Sequence, residues 1–93
     1  MSAATYPSLQ GKTVVVTGGG SGIGRAVSEA FVRQRARVFF LDIADEDSRQ
    51  LERGLDGAEV PPRYVRCDLS DLDALRGGLA TIGEAGGPIE VLV

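Results

Sequence analysis

Apolar residues along this chain fall into two alternating patterns. Short runs at Lys12–Thr17, Arg37–Asp42, Arg63–Cys67 and Ile89–Val93 are dominated by valine, leucine and phenylalanine. The first, second and fourth are nearly continuous, as expected of strands buried on both faces; the third (RYVRC) is shorter and more polar. Between the runs, apolar residues recur at helical spacing. Gly22–Gln34 carries Ile23, Ala26, Val27, Ala30 and Phe31 along one face. Ser48–Gly54 predicts a weaker helix, anchored by Leu51 and Leu55 with Gly54 as its stop. A third helix places Leu72, Leu75, Leu79 and Ile82 on one stripe. Ser70 and Asp73 have the spacing of a capping box at its start, and Gly86-Gly87-Pro88 ends it.

The order is therefore β-α-β-α-β-α-β, which predicts an α/β fold with a parallel sheet and helices on both faces. Right-handed crossovers make it the first half of a Rossmann-type doubly wound sheet with strand order 3-2-1-4. Residues 1–93 are expected to be the N-terminal part of a single dinucleotide-binding domain. The reason is that the sequence stops at its fourth strand, with the other half of the sheet missing.

Charge and composition remove several classes of function. The net charge is −3, and the nine arginines and one lysine are scattered among acids, so no nucleic acid is expected as a partner. Cys67 is the single cysteine and there is no histidine, which excludes a disulfide, a His/Cys metal site and a Ser-His-Asp triad within these residues. The start MSAATYPSLQGK lacks a signal-peptide pattern, and no apolar run reaches the roughly 18–20 residues that span a membrane. The expectation is a cytoplasmic protein with no membrane partner.

The chemistry is concentrated in TGGGSGIG, residues 17–24, with five glycines in eight positions directly after the first strand. Inside a regular element each glycine costs about 0.5–1 kcal/mol against alanine, so the stretch needs a reason. In this fold the turn faces the ligand crevice, where the next helix offers free N–H groups and a partial positive charge. Gly18 would make the tight exit from the strand. Gly22 would let the backbone approach a pyrophosphate, and Gly24 would bring the helix close to the sheet. A phosphate loop of the Gly-x-x-x-x-Gly-Lys type is excluded, because Arg25-Ala26 follow Gly24. Gly-x-Gly-x-x-Gly is absent as well; the spacing present is Thr17-Gly18-x-x-x-Gly22-x-Gly24.

Asp42 ends the second strand, 18 residues after Gly24, where a carboxylate can accept from both hydroxyls of an adenosine ribose. The competing reading is a solvated acid beside Asp45, Glu46 and Asp47. A 2′-phosphate would meet Asp42 as a like charge, so the cofactor expected is NAD rather than NADP. Elsewhere, Arg25 reads as a solvated side chain, Cys67 as a small core residue, and Phe39 and Phe40 as packing.

In these residues, together with Asp68-Leu69 after the third strand, the sequence resembles the short-chain dehydrogenase/reductase family over its whole length. The resemblance implies that Ser21 and Ile23 line the pyrophosphate with Gly18, Gly22 and Gly24. It further implies that Asp42, beside Ile43, holds the ribose, that Asp68 accepts from the adenine amino group, and that the Leu69 N–H meets a ring nitrogen. The stretches YPSLQGK (Tyr6–Lys12), FLDIADEDSRQLE (Phe40–Glu52) and RCDL (Arg66–Leu69) resemble the family's NAD-dependent sugar dehydrogenases more closely still. They imply oxidation of an aldose, D-xylose above all, at C1 to the lactone by a homotetramer or dimer.

Family members carry Asn-Ala-Gly after the fourth strand, then a catalytic serine and a Tyr-x-x-x-Lys pair. None of these is present: Tyr6 is followed four positions on by Gln10, Tyr64 by Asp68. These 93 residues are thus expected to bind the cofactor and to contribute no catalytic residue and no metal ligand. Other readings from the residues are a dehydrogenase of the same family for a secondary alcohol or oxoacyl substrate, and a catalytically silent dinucleotide-binding module. A methyltransferase ranks below these, having no use for the glycine spacing.

Overall fold

The computed structural model describes residues 9–93. Strands β1 (Thr13–Thr17), β2 (Arg37–Asp42), β3 (Arg63–Arg66) and β4 (Val91–Leu92) form one sheet in the order β3-β2-β1-β4. All three pairings are parallel, with Val14 opposite Val38 and Val91, and Phe40 opposite Tyr64. Helices α1 (Gly22–Arg33), α2 (Asp45–Gly54) and α3 (Leu72–Gly86) make the crossovers. The chain is Rossmann-like, with the predicted strand order.

Alternation along β1 and β2 divides the core in two, since successive side chains of a strand point to opposite faces. Val14, Val16, Val38 and Phe40 pack on one face under Val27, Phe31 and Val32 of α1 and Leu51 of α2. Val15, Phe39 and Leu41 pack on the other face, under Leu75, Leu79 and Ile82 of α3, with Cys67 among them. Each fully buried large side chain contributes roughly 1.5–3 kcal/mol. These two layers are what hold the strand ends in place. The far end of α3 is pinned as well. Thr13 Oγ1 donates to the Gly86 carbonyl at 2.6 Å, and Gly86 lies so close to the Phe39 ring that a Cβ would sit 2.7 Å from it.

Several boundaries differ from the sequence expectation, for local reasons. α2 starts at Asp45, three residues before Ser48, because Asp45, Glu46 and Asp47 favour the first turn of a helix. The capping box of Ser70 and Asp73 is not formed. Asp71 caps α3 instead, its side chain accepting from the N–H groups of Asp73 and Ala74, while Ser70 turns back to Asp68. Two apolar positions leave their predicted faces: Ile23 is 86% exposed at the start of α1 and Leu72 58% exposed at the start of α3. Among the described residues no helix is long and apolar enough to cross a membrane, and no group of side chains is arranged to hold a metal ion.

Candidate functional site

Strands β3, β2 and β1 all deliver their carboxyl ends to one edge of the sheet, and every predicted site residue lies at or after one of those ends. At Gly18 the backbone turns with φ +66°, and the N–H groups of Gly18 and Gly19 donate to the Leu41 carbonyl at 2.7 and 3.4 Å. The turn is thereby drawn towards β2. Gly22 also has a positive φ, +56°, which an L side chain tolerates poorly, and the space around it is open.

The other three glycines are required by contact. A Cβ on Gly19 would lie 2.5 Å from the Phe40 Cβ; one on Gly20 would collide with Ser48 Oγ, and one on Gly24 with the Gly18 carbonyl. Ser28 Oγ, fully buried on the inner side of α1, reaches the carbonyls of Gly19 and Gly24 at 3.1 and 3.0 Å. All five glycines therefore answer to geometry at this one turn.

Asp42 is 9% exposed, so the reading of a solvated acid does not hold. Its Oδ2 accepts the Gly20 N–H at 2.9 Å, and its Oδ1 accepts the N–H groups of Ile43 at 2.7 Å and Ala44 at 3.0 Å. The carboxylate thus fastens the glycine turn to the end of β2 and serves the backbone entering α2. A carboxylate has about four lone-pair sites, so acceptor capacity remains. The Asp42 carbonyl accepts from the Cys67 N–H at 2.9 Å, which brings the end of β3 alongside. Asp68 follows there, exposed, with its Oδ1 accepting from the Ser70 N–H at 2.9 Å and the Ser70 hydroxyl at 2.6 Å. Those two bonds hold its carboxyl below the usual aspartate range.

The edge also exposes apolar side chains, Ile43 at 55% and Leu69 at 40% beside Ile23. Ser21 caps α1 in an extended conformation and makes no side-chain hydrogen bond to it. The first-turn N–H groups of Gly22, Ile23 and Gly24 are therefore left without the kind of cap that Asp71 gives α3. Free donors at a positive helix end, a carboxylate and exposed apolar side chains form a surface suited to an anion flanked by a diol and a planar ring. The glycine cradle and uncapped donors fit a dinucleotide.

Among the described residues, the titratable side chains of Cys67, Tyr64, Lys12 and Arg25, outside the proposed cradle, are engaged in packing or pairing. The Cys67 thiol is buried, which pushes its pKa up. Tyr64 donates its hydroxyl to Asp45 Oδ1 at 3.1 Å and the Asp42 carbonyl at 3.3 Å, and burial raises its pKa, the wrong direction for a base. Lys12 pairs with Glu90 at 3.3 Å, at the amino end of β1. Arg25 faces solvent and pairs with Glu29 at 3.3 Å. Tyr6 lies outside the described residues.

Sequence reasoning missed Ser28, Ser48 and the contacts of Gly19 and Gly20. A serine on the apolar side of α1, four positions after Gly24, was the one visible signal.

The chain belongs to the short-chain dehydrogenase family, whose sequence profile matches residues 12–93. Over all 93 residues it is 57% identical to the D-xylose 1-dehydrogenase of Caulobacter vibrioides, covering 36% of that protein. It is 40% identical to a probable galactose dehydrogenase of Rhizobium meliloti, again over its whole length and 37% of the relative. Among solved structures, the apo form of LigO from Sphingobium superposes with a TM-score of 0.87 at 26% identity, over 94% of this chain and 33% of that one. The chain thus spans roughly a third of the relatives it matches.

Proposed function

We propose that residues 1–93 supply the NAD-binding part of a dehydrogenase that oxidises an aldose at C1, D-xylose or a close relative, to its lactone. The observation that carries the cofactor reading is the uncapped start of α1 set beside the buried carboxylate of Asp42. In this reading the N–H groups of Gly22, Ile23 and Gly24, with Gly18 and Ser21 shaping the turn, hold the pyrophosphate. Asp42 accepts from the adenosine ribose next to Ile43, and Asp68 and Leu69 bracket the adenine. Held in this cradle, NAD would supply the hydride acceptor for oxidation at the sugar's anomeric carbon.

Selectivity for NAD over NADP follows from Asp42 in two ways. Its charge repels a 2′-phosphate, and the Ile43 and Ala44 N–H groups that such a phosphate would need already serve Oδ1. Hydrogen bonds to a charged group contribute about 1.5–3 kcal/mol, and 1.4 kcal/mol is tenfold in affinity. The substrate reading rests on the likeness to sugar dehydrogenases reported above. The catalytic serine, tyrosine and lysine are assigned to sequence beyond Val93, in a cytoplasmic homotetramer or dimer. An aldose panel assayed with NAD on the protein that carries this chain tests the reading: turnover is expected with D-xylose and lost when a secondary alcohol replaces the sugar. Activity with secondary alcohols alone would reassign the substrate class.

A further inference from the structure

Packing alone does not call for the hydroxyl at position 28. Ser28 is completely buried on the side of α1 where Val27, Phe31 and Val32 meet the sheet, and alanine would fill the same place. Its Oγ lies 3.0 Å from the Gly24 carbonyl, the usual resting place of a helical serine four residues on. The second acceptor is the unusual one. The Gly19 carbonyl, at 3.1 Å, belongs to the opposite arm of the turn, nine positions earlier. One hydroxyl, its single proton shared between the two carbonyls, therefore bridges both arms of the loop that runs through Gly20, Ser21, Gly22 and Ile23. The fit is close, since a Cβ on Gly19 would fall 2.7 Å from Ser28 Oγ.

Asp42 fixes the same loop from the sheet side through Gly20. With Ser28 fixing it from the helix side, the segment between is held at two points while its leading N–H groups stay free. A loop fixed in its binding shape loses less conformational entropy when the ligand arrives.

We infer that Ser28 is a positioning residue for the pyrophosphate, acting through the Gly19 and Gly24 carbonyls without touching the ligand; this rests on the dinucleotide reading above. Its influence is confined to the phosphates, because adenosine is held by Asp42, Asp68 and Leu69 on the other side of the turn. The test compares wild type, Ser28→Ala and Ser28→Cys in the protein that carries this chain. ADP-ribose is titrated by calorimetry and adenosine by ligand-observed NMR. Ser28→Ala is expected to weaken ADP-ribose about five- to tenfold, the worth of one hydrogen bond, and to leave adenosine within about twofold. Ser28→Cys keeps a donor, weaker and on a somewhat larger atom, and is expected to fall between. KM for NAD rises while kcat at saturating NAD holds. Equal loss of both ligands, or loss of neither, overturns the inference. Wild type that binds neither ligand overturns the dinucleotide reading and this inference with it.

Discussion

The Gly20 N–H donates to Asp42 Oδ2 at 2.9 Å, joining the glycine turn to the end of β2 across 22 positions of sequence. Asp42 is therefore part of the fold as well as of the proposed ribose site. Its removal strands the buried Gly20 donor and leaves the part-buried N–H groups of Ile43 and Ala44 without their carboxylate. Asp42→Ala is expected to lower stability by about 2–3 kcal/mol in a denaturant melt, with Asp42→Asn intermediate because one acceptor survives. An unchanged melt would show that the turn does not depend on this carboxylate.

Glycines in the turn and in α3 separate two physical roles. Alanine at position 24 drives its Cβ into the Gly18 carbonyl, a backbone atom with no room to move. Gly24→Ala is expected to cost about 2–3 kcal/mol, as overpacking does, and to weaken NAD. Gly77 lies inside α3 with nothing within 4 Å of a Cβ, so Gly77→Ala is expected to stabilise by about 0.5–1 kcal/mol. Paired thermal melts decide it: the two variants must move in opposite directions.

Asp45, Arg49 and Tyr64 give the chain an acid-side dependence. The Arg49 guanidinium, 2.9 Å from Asp45 Oδ2, and the Tyr64 hydroxyl hold the Asp45 carboxyl below its usual range. A carboxyl depressed in the folded state adds stability that is complete above its unfolded value, about pH 4, and is lost as pH falls through the folded one. Carboxyl NMR titration is expected to place Asp45 higher in Tyr64→Phe than in wild type. Identical midpoints would dismiss the contribution of the hydroxyl.

Burial, with Asp68 and Asp71 nearby, raises the pKa of Cys67 and keeps its thiol protonated at neutral pH. Iodoacetamide is expected to label it slowly in the native protein and rapidly in urea. Equal rates in the two would contradict the packing described for the β3 end.

Much of this was legible from residue types alone. Short apolar runs gave the strands, right-handed crossovers gave their order, and the Gly18-Gly22-Gly24 spacing with Asp42 located the turn and its neighbour. What escaped were interactions that patterning does not encode. Asp71 won the α3 cap from Ser70 because Asp68 engages the Ser70 hydroxyl. Gly19 and Gly20 are fixed by Phe40 and Ser48, side chains distant in sequence. Burial of Asp42 was hidden for the same reason: the acidic residues after it suggested solvent, while its partner stands 22 positions earlier.

The central claim is that the α1 start and Asp42 form an NAD site that discriminates against NADP. Calorimetric titration of both nucleotides into wild type and Asp42→Ala, in the protein that carries this chain, tests it most directly. Because the ratio of affinities cancels any general loosening of the turn, it isolates the role of the carboxylate at the ribose. The account predicts NAD at least about tenfold tighter than NADP in wild type, with the ratio collapsing in the variant. A ratio near one in wild type, or one that survives the loss of Asp42, would contradict it.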